Sequence, residues 1–180
     1  MPKAIYYVAS SLDGFIATED NNLDWLLQFG FDAFQDHYNR FMADVGAVVM
    51  GAETYRWVRA EQPESWEYTQ PCWVLSHREE ARPPSGDVRF ASGDVRNVFK
   101  EARDAAGERN IWVVGGGNVA AQFAAAGLLD ELWVTYMPVA LGSGRRLLPV
   151  SSPTAPMRLT ACTQFDGGAT ELRYALSKGR

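Results

Sequence analysis

Six short apolar runs, at residues 4–9, 47–50, 72–75, 88–91, 111–114 and 132–136, constrain the fold more than any other feature of the chain. Several are continuous rather than alternating. Alternation marks a strand with one wet face, whereas an unbroken apolar run marks a strand covered on both faces, the usual condition of a parallel sheet. Helix-like segments near residues 33–44, 54–59, 95–106 and 119–126 separate the runs. Strands alternating with helices predict an α/β domain. The end departs from this pattern: "MRLTACTQF" and "TELRYAL" flank "DGGA", which reads as an antiparallel hairpin with a glycine turn. The expected architecture is a mixed, mostly parallel central sheet, flanked by helices and finished by that hairpin. A length of 180 residues suits one domain spanning 1–180. The loop-like "EEARPPSGD" (79–87) and "SSPTAP" (151–156) are too short to divide it.

Composition narrows the partners. Seventeen Lys and Arg against 22 Asp and Glu leave a net charge of −5, which argues against nucleic acid or an anionic membrane surface. No apolar run approaches the ~20 residues a membrane helix needs, and the N-terminus lacks the apolar core of a signal peptide. A cytoplasmic location is expected. Cys72 and Cys162 have no metal-type spacing and lie in strand-like runs, so both are expected as buried, reduced thiols and no metal site is predicted.

"IWVVGGGNVAAQF" (111–123) raises the functional question, because glycine loses more backbone freedom on folding than any other residue. Gly115, Gly116 and Gly117 would present bare amides where a helix begins near Asn118 or Val119. Unpaired N–H groups and the helix dipole make such a start an anion site. The alternative is a tight strand-to-helix turn without a ligand. The spacing is not G-x-G-x-x-G, so no Rossmann fingerprint is present. "VGAVVMGAETYRWV" (45–58) repeats the logic, with Gly51 at a strand end and a helix from Glu53 or Thr54. Thr54 could cap that helix or bond a phosphate. "WVLSHRE" places Ser76, His77 and Arg78 at a third strand end. Ligands of open parallel sheets bind at such ends, and three of them together suit a dinucleotide.

"YYVASSLDGFIA", "VVMGAETY", "WVLSHRE", "IWVVGGGNVAAQF" and "YMPVALGSGRRLL" occur in an order and spacing that resembles the dihydrofolate reductase-like superfamily. The resemblance is closest to its riboflavin-biosynthesis branch, the C-terminal reductase domain of the bifunctional deaminase/reductase and its stand-alone relatives. It implies that the glycine run carries a cofactor diphosphate, with a cis peptide at Gly115–Gly116, and that Asn118 and Val119 continue the cofactor wall. Gly51 to Thr54 would take the other side of the diphosphate and Leu75 to Arg78 the adenosine ribose. Ala9 and Ile16 would border the nicotinamide, and Leu141 and Gly142 would belong to a late loop closing over it. The family commonly reads M-G-R where this chain has "MGAE", so the arginine that helps hold a 2′-phosphate is missing. Arg78, with His77, is the candidate replacement, since a guanidinium matches phosphate geometry. NADPH is the implied cofactor, ahead of NADH or a flavin.

The chemistry needs a proton source beside the hydride. Asp32 and Asp36 fall opposite the apolar stripe formed by Phe34, Tyr38, Phe41 and Val45, so they are expected on a solvated helix face. Asp13 in "SSLDGFIA" and Asp24 beside Trp25 are the catalytic candidates, although Asp-Gly is also a common turn. Ser11, Trp25, Tyr38 and Arg145 are candidate substrate contacts. His37 is expected as a satisfied, partly buried histidine. No H-x-E with C-x-x-C is present, which excludes a zinc deaminase domain of that type within the sequence. The expected activity is NADPH-dependent reduction of a pterin-like or aminopyrimidine ring, of the 5-amino-6-(5-phosphoribosylamino)uracil reductase type. Dihydrofolate reduction and a non-catalytic dinucleotide- or flavin-binding module are the alternatives. A homodimer is expected on family analogy.

Overall fold

The computed structural model describes residues 1–177. In chain order the elements are β1 (Ala4–Ser11), β2 (Phe15–Ala17), α1 (Asp24–Leu27), α2 (Gln35–Ala43), β3 (Val45–Gly51), α3 (Ala52–Glu61), β4 (Cys72–Leu75) and β5 (Val88–Ala91). There follow α4 (Val95–Ala106), β6 (Asn110–Gly115), α5 (Gly117–Ala125), β7 (Glu131–Met137), β8 (Arg145–Arg146), β9 (Arg158–Gln164) and β10 (Thr170–Ala175). Among the described residues ten strands form two sheets: an eight-stranded one in the order β5-β4-β3-β6-β1-β7-β10-β9, and a β2-β8 ribbon. The pairings from β5 to β7 are parallel; those of β7 with β10 and of β10 with β9 are antiparallel.

The six apolar runs are the six parallel strands, and burial on both faces explains the continuity of the inner ones; β5, at the sheet edge, leaves Arg89 exposed. One face carries Tyr6, Val49, Trp73 and Val113 against Val98, Ala102 and Phe123 of α4 and α5. The other carries Ile5, Val48, Met50 and Trp112 against Phe41 of α2 and Tyr55 and Val58 of α3. Full burial of a side chain as large as Trp73 contributes on the order of 3 kcal/mol. Asp32 and Asp36 are exposed, as the stripe predicts. His37 is tied down: its Nε2 lies 2.7 Å from Oε2 of the fully buried Glu171, whose Oε1 accepts from Arg173 Nε at 2.6 Å. Arg173 stacks over Trp133, 3.5 Å from the ring centre.

Three expectations need correction. Cys72 is buried, but Cys162 is exposed, because β9 is an edge strand whose outward positions meet solvent. The helices after β3 and β6 begin at Ala52 and Gly117, one or two residues earlier than expected, with Gly51 and Gly116 as extended N-cap residues. Thr54 is therefore in the first turn of α3 rather than at its cap. No helix among the described residues is long and apolar enough to cross a membrane.

Candidate dinucleotide and substrate cleft

β3 and β6 are neighbours, yet the helices that follow them cover opposite faces of the sheet: α3 one, α5 the other. The divergence opens a crevice at the carboxyl ends of the strands, the topological switch point where open α/β sheets bind ligands. A cleft of about 930 Å³ fills it. The cleft follows the strand ends of β5, β4, β3, β6 and β1, from Ala91 and Leu75 through Gly51 and Val114 to Ala9. At ~4.8 Å per strand, four steps span roughly 19 Å, long enough for an extended dinucleotide.

Both helices start at the cleft without a side-chain cap. Gly51 is the N-cap of α3 and Gly116 that of α5, and neither has a side-chain oxygen to offer the amides at the helix start. Those donors are the unsatisfied groups that a helix start must lend to something else.

The three glycines serve three purposes. Gly115 has φ +129°, a conformation L side chains rarely adopt. Gly117 lies under the chain leaving β8: a Cβ there would sit 2.2 Å from the Arg146 carbonyl oxygen and 2.7 Å from that of Leu147. Gly116 faces open space, where a Cβ would meet only Ile16 Cδ1 at 3.7 Å. So the middle glycine is the one that leaves room for a ligand. The Gly115–Gly116 peptide is cis.

Of the residues expected to hold the cofactor, Ala9, Ile16, Gly51, Thr54, Leu75, Ser76, His77, Gly116, Gly117, Asn118 and Val119 line this cleft. Arg145 joins them, reaching in from β8; its Nε donates to Asn21 Oδ1 at 3.0 Å and a second nitrogen lies 3.9 Å from Glu53. Arg78 and Gly115 do not line it. Arg78 is exposed, and its backbone N–H and C=O are both engaged by the Ser76 hydroxyl, at 3.1 and 2.9 Å. That hydroxyl also lies 3.0 Å from Glu80 Oε1, and Glu80 in turn pairs with Arg56.

Asp13 and Asp24, the catalytic candidates, stand outside the cleft walls. Asp13 Oδ1 accepts from Ser11 Oγ at 2.6 Å and Leu141 N at 3.0 Å, and Oδ2 accepts from Gly142 N at 2.7 Å. The Ser11 hydroxyl and the two loop amides hold its carboxyl down to about 2. An ionised carboxylate with both oxygens engaged is a clasp between the end of β1 and the 141–142 loop. It is not a proton donor at neutral pH. Ser11, Leu141 and Gly142 thus belong to that clasp and not to the lining. Asp24 is exposed and accepts from Asn22 Nδ2 at 3.0 Å. Trp25 is buried with Met137 and Ala169, and its Nε1 has no partner among the described residues. Tyr38 lies behind the lining, edge-on to Trp112 at 5.9 Å.

Glu67, Tyr68, Trp57, Gln122, Ser92 and Gly93 also line the cleft and are absent from the expected set. Ser92 and Gly93 follow a strand end, a place the rule for parallel sheets could have found. Glu67 and Tyr68 sit in "EQPESWEYTQP", where no pattern separates them from an ordinary loop.

The RibD C-terminal domain profile matches residues 2–170. The chain belongs to that family. Its reductase-type fold is that of the dihydrofolate reductase-like superfamily. Among relatives in the family's range, the uncharacterized protein YwjB of Bacillus subtilis (strain 168) is 31% identical over 172 residues, covering 96% of this chain and 97% of YwjB. A protein of Shewanella sp. PV-4, provisionally named a riboflavin biosynthesis protein, superposes with a TM-score of 0.80 at 26% identity over 97% of this chain and 99% of its own. Dihydrofolate reductase from Enterococcus faecalis, complexed with NADP(H), shares the fold, with a TM-score of 0.63 at 15% identity, covering 98% and 96% of the two chains.

Proposed function

We propose that this member of the RibD C-terminal domain family is a nicotinamide-dinucleotide-dependent reductase of a flat nitrogen heterocycle, pterin-like or aminopyrimidine. The observation that carries the reading is the meeting of two uncapped helix starts, α3 and α5, at the switch point of one continuous cleft. The site fits the group: the position a Cβ would take at Gly116 is open, and Gly116 is the N-cap of α5, without a side-chain cap. The cofactor, when bound, supplies the hydride; the protein supplies placement and charge.

The first-turn amides of both helices hold the diphosphate, and Arg145 adds a positive charge to that stretch. Ser76 and His77 receive the adenosine ribose. NADPH is the favoured dinucleotide on family grounds, with His77, which lines the cleft, and the adjacent exposed Arg78 as the candidates to meet a 2′-phosphate where the family arginine is replaced by Ala52. Ala9 and Ile16 border the nicotinamide with small and aliphatic surface, which keeps water from the transferring hydride. The Asp13 clasp holds the 141–142 loop at the end of β1. The named family activity, reduction of 5-amino-6-(5-phosphoribosylamino)uracil, is the first to test, with dihydrofolate second. A homodimer working in the cytoplasm accompanies the reading by analogy, and light scattering would then return twice the chain mass of 20.0 kDa.

The test is fluorescence titration with NADPH, NADH and FMN, followed by NADPH absorbance with a panel of pterins and aminopyrimidines. Micromolar NADPH binding with substrate-dependent oxidation is the expected result. Binding that raises the melting temperature but never oxidises the cofactor would make the chain a binding module instead. Absence of any dinucleotide binding would overturn both.

A further inference from the structure

Among the described residues Asn21 is the one non-glycine residue with a positive φ, at 63°. An L residue reaches that left-handed region at a cost, Asn more readily than most. Asn21 sits in the turn after β2, which Thr18 closes by itself. Asn21 N donates to the Thr18 carbonyl at 3.0 Å, Thr18 N to the Asn22 carbonyl at 3.2 Å, and Asn22 N to Thr18 Oγ1 at 2.9 Å. Glycine would make the same turn with less strain. What Asn adds is an amide, and its Oδ1 accepts from Arg145 Nε at 3.0 Å.

The two backbones are also held in register. Arg145 pairs with Ala17 across the β2-β8 ribbon, and a Cβ at Gly144 would lie 2.2 Å from the Ala17 carbonyl oxygen. The chain leading into Arg145 thus presses on the residue just before the turn. Asn21 and Arg145 both line the cleft. With Nε engaged, the Nη hydrogens of the guanidinium remain for a ligand. Its second contact is of a different kind. Nη2 lies 3.9 Å from Oε1 of Glu53, in the first turn of α3, and both side chains are about half exposed. An ion pair that long and that wet contributes little, so an incoming anion can take its place. Arg146, the next residue, lines the cleft too, but no described side chain holds its guanidinium.

We infer that Asn21 is the positioning residue for Arg145: it aims the Nη edge of the guanidinium at the diphosphate of the dinucleotide beside the start of α3, and Glu53 is the counterion that the diphosphate displaces. The inference rests on the dinucleotide reading above and names the device that holds its positive charge in place. Ala52 supplies no cation at that helix start, so the guanidinium comes from β8. A free arginine side chain loses much rotamer freedom on gripping a phosphate, and one already held at Nε loses less.

Fluorescence titration of the full chain with NADPH tests this through a double-mutant cycle. Asn21→Gly keeps the left-handed turn and removes the amide, and NADPH binds ~10-fold more weakly, a difference of about 1.4 kcal/mol. Arg145→Ala weakens binding at least as much. In the Arg145→Ala background Asn21→Gly changes the affinity no further, because a residue that acts only through another has no effect once that one is gone. Glu53→Gln moves the affinity the opposite way, to ~3-fold tighter. Unchanged NADPH binding by Asn21→Gly overturns the inference. So does a loss that persists in full without Arg145, the signature of a loosened turn or of a direct contact between Asn21 and the ligand. Binding no tighter in Glu53→Gln overturns the exchange of counterions. Each of these outcomes leaves the reductase reading intact, whereas failure of the wild-type chain to bind NADPH is the failure of that reading itself.

Discussion

The starts of α4 and α5 solve the same problem in opposite ways. Asp94 caps α4, its side chain accepting from Arg96 N at 2.9 Å, and the first turn is finished within the protein. α5 begins on Gly116 with no side chain to offer, and α3 does the same on Gly51. α4 links β5, at the edge of the sheet, to β6; α3 and α5 begin at the switch point. A helix whose donors are satisfied locally is part of the scaffold, and one whose donors are left open faces something that will satisfy them.

Substitutions can break this comparison, beginning with the largest effect. Gly117→Val forces a Cβ into the Arg146 and Leu147 carbonyls and should cost about 3 kcal/mol or more, read as a large fall in melting temperature with or without cofactor. Gly116→Val meets no backbone, so its main effect should be on the ligand: NADPH affinity falls ~100-fold, measured by fluorescence titration, with a smaller loss of stability. If the two variants lose stability equally and bind NADPH equally, the division of labour among the glycines is wrong. Ala52→Arg restores a guanidinium at the start of α3 and should raise the NADPH-over-NADH ratio of kcat/KM ~10-fold. Asp94→Ala should cost about 1 kcal/mol and leave cofactor affinity untouched, since the α4 cap serves only the fold.

Asp13 adds a pH test of the loop side. Its carboxyl is held at about 2 when folded, below the value of an unfolded aspartate, so its contribution is complete at pH above the unfolded value. As pH falls through about 2 the clasp is lost. Asp13→Ala should show the loosened loop already at neutral pH, as ~10-fold slower hydride transfer in single-turnover absorbance with cofactor affinity largely kept.

Much of this comparison was legible in the sequence, and the exceptions share a cause. The parallel strands announce themselves because burial on both faces demands unbroken apolar runs, and the glycine run because bare backbone at a strand end is costly without a reason. β2 and β8 are three and two residues long and carry no period, since their pairing is made by the chain folding back across 128 positions and more. Asp13 reads as a turn or an acid until Leu141 and Gly142 are seen to donate to it. Gly117 reads as part of a ligand loop until the Arg146 carbonyl is found above it. Glu67 and Tyr68, which line the cleft, have no local signature at all. In each case the deciding partner is distant in the chain.

The ribbon of β2 and β8 carries a further consequence. Arg145 and Arg146 pair with Ala17 and Phe15, the carbonyl of Arg146 presses on Gly117, and the Tyr6 hydroxyl pins the Leu147 carbonyl at 2.9 Å from beneath the sheet. The mouth of the cleft and the proposed cradle for the diphosphate are therefore one mechanical piece. A lengthened or shortened turn before β8 would shift the grip on the cofactor before it altered the entrance, so drift in cofactor choice and drift in access are coupled by the same four residues.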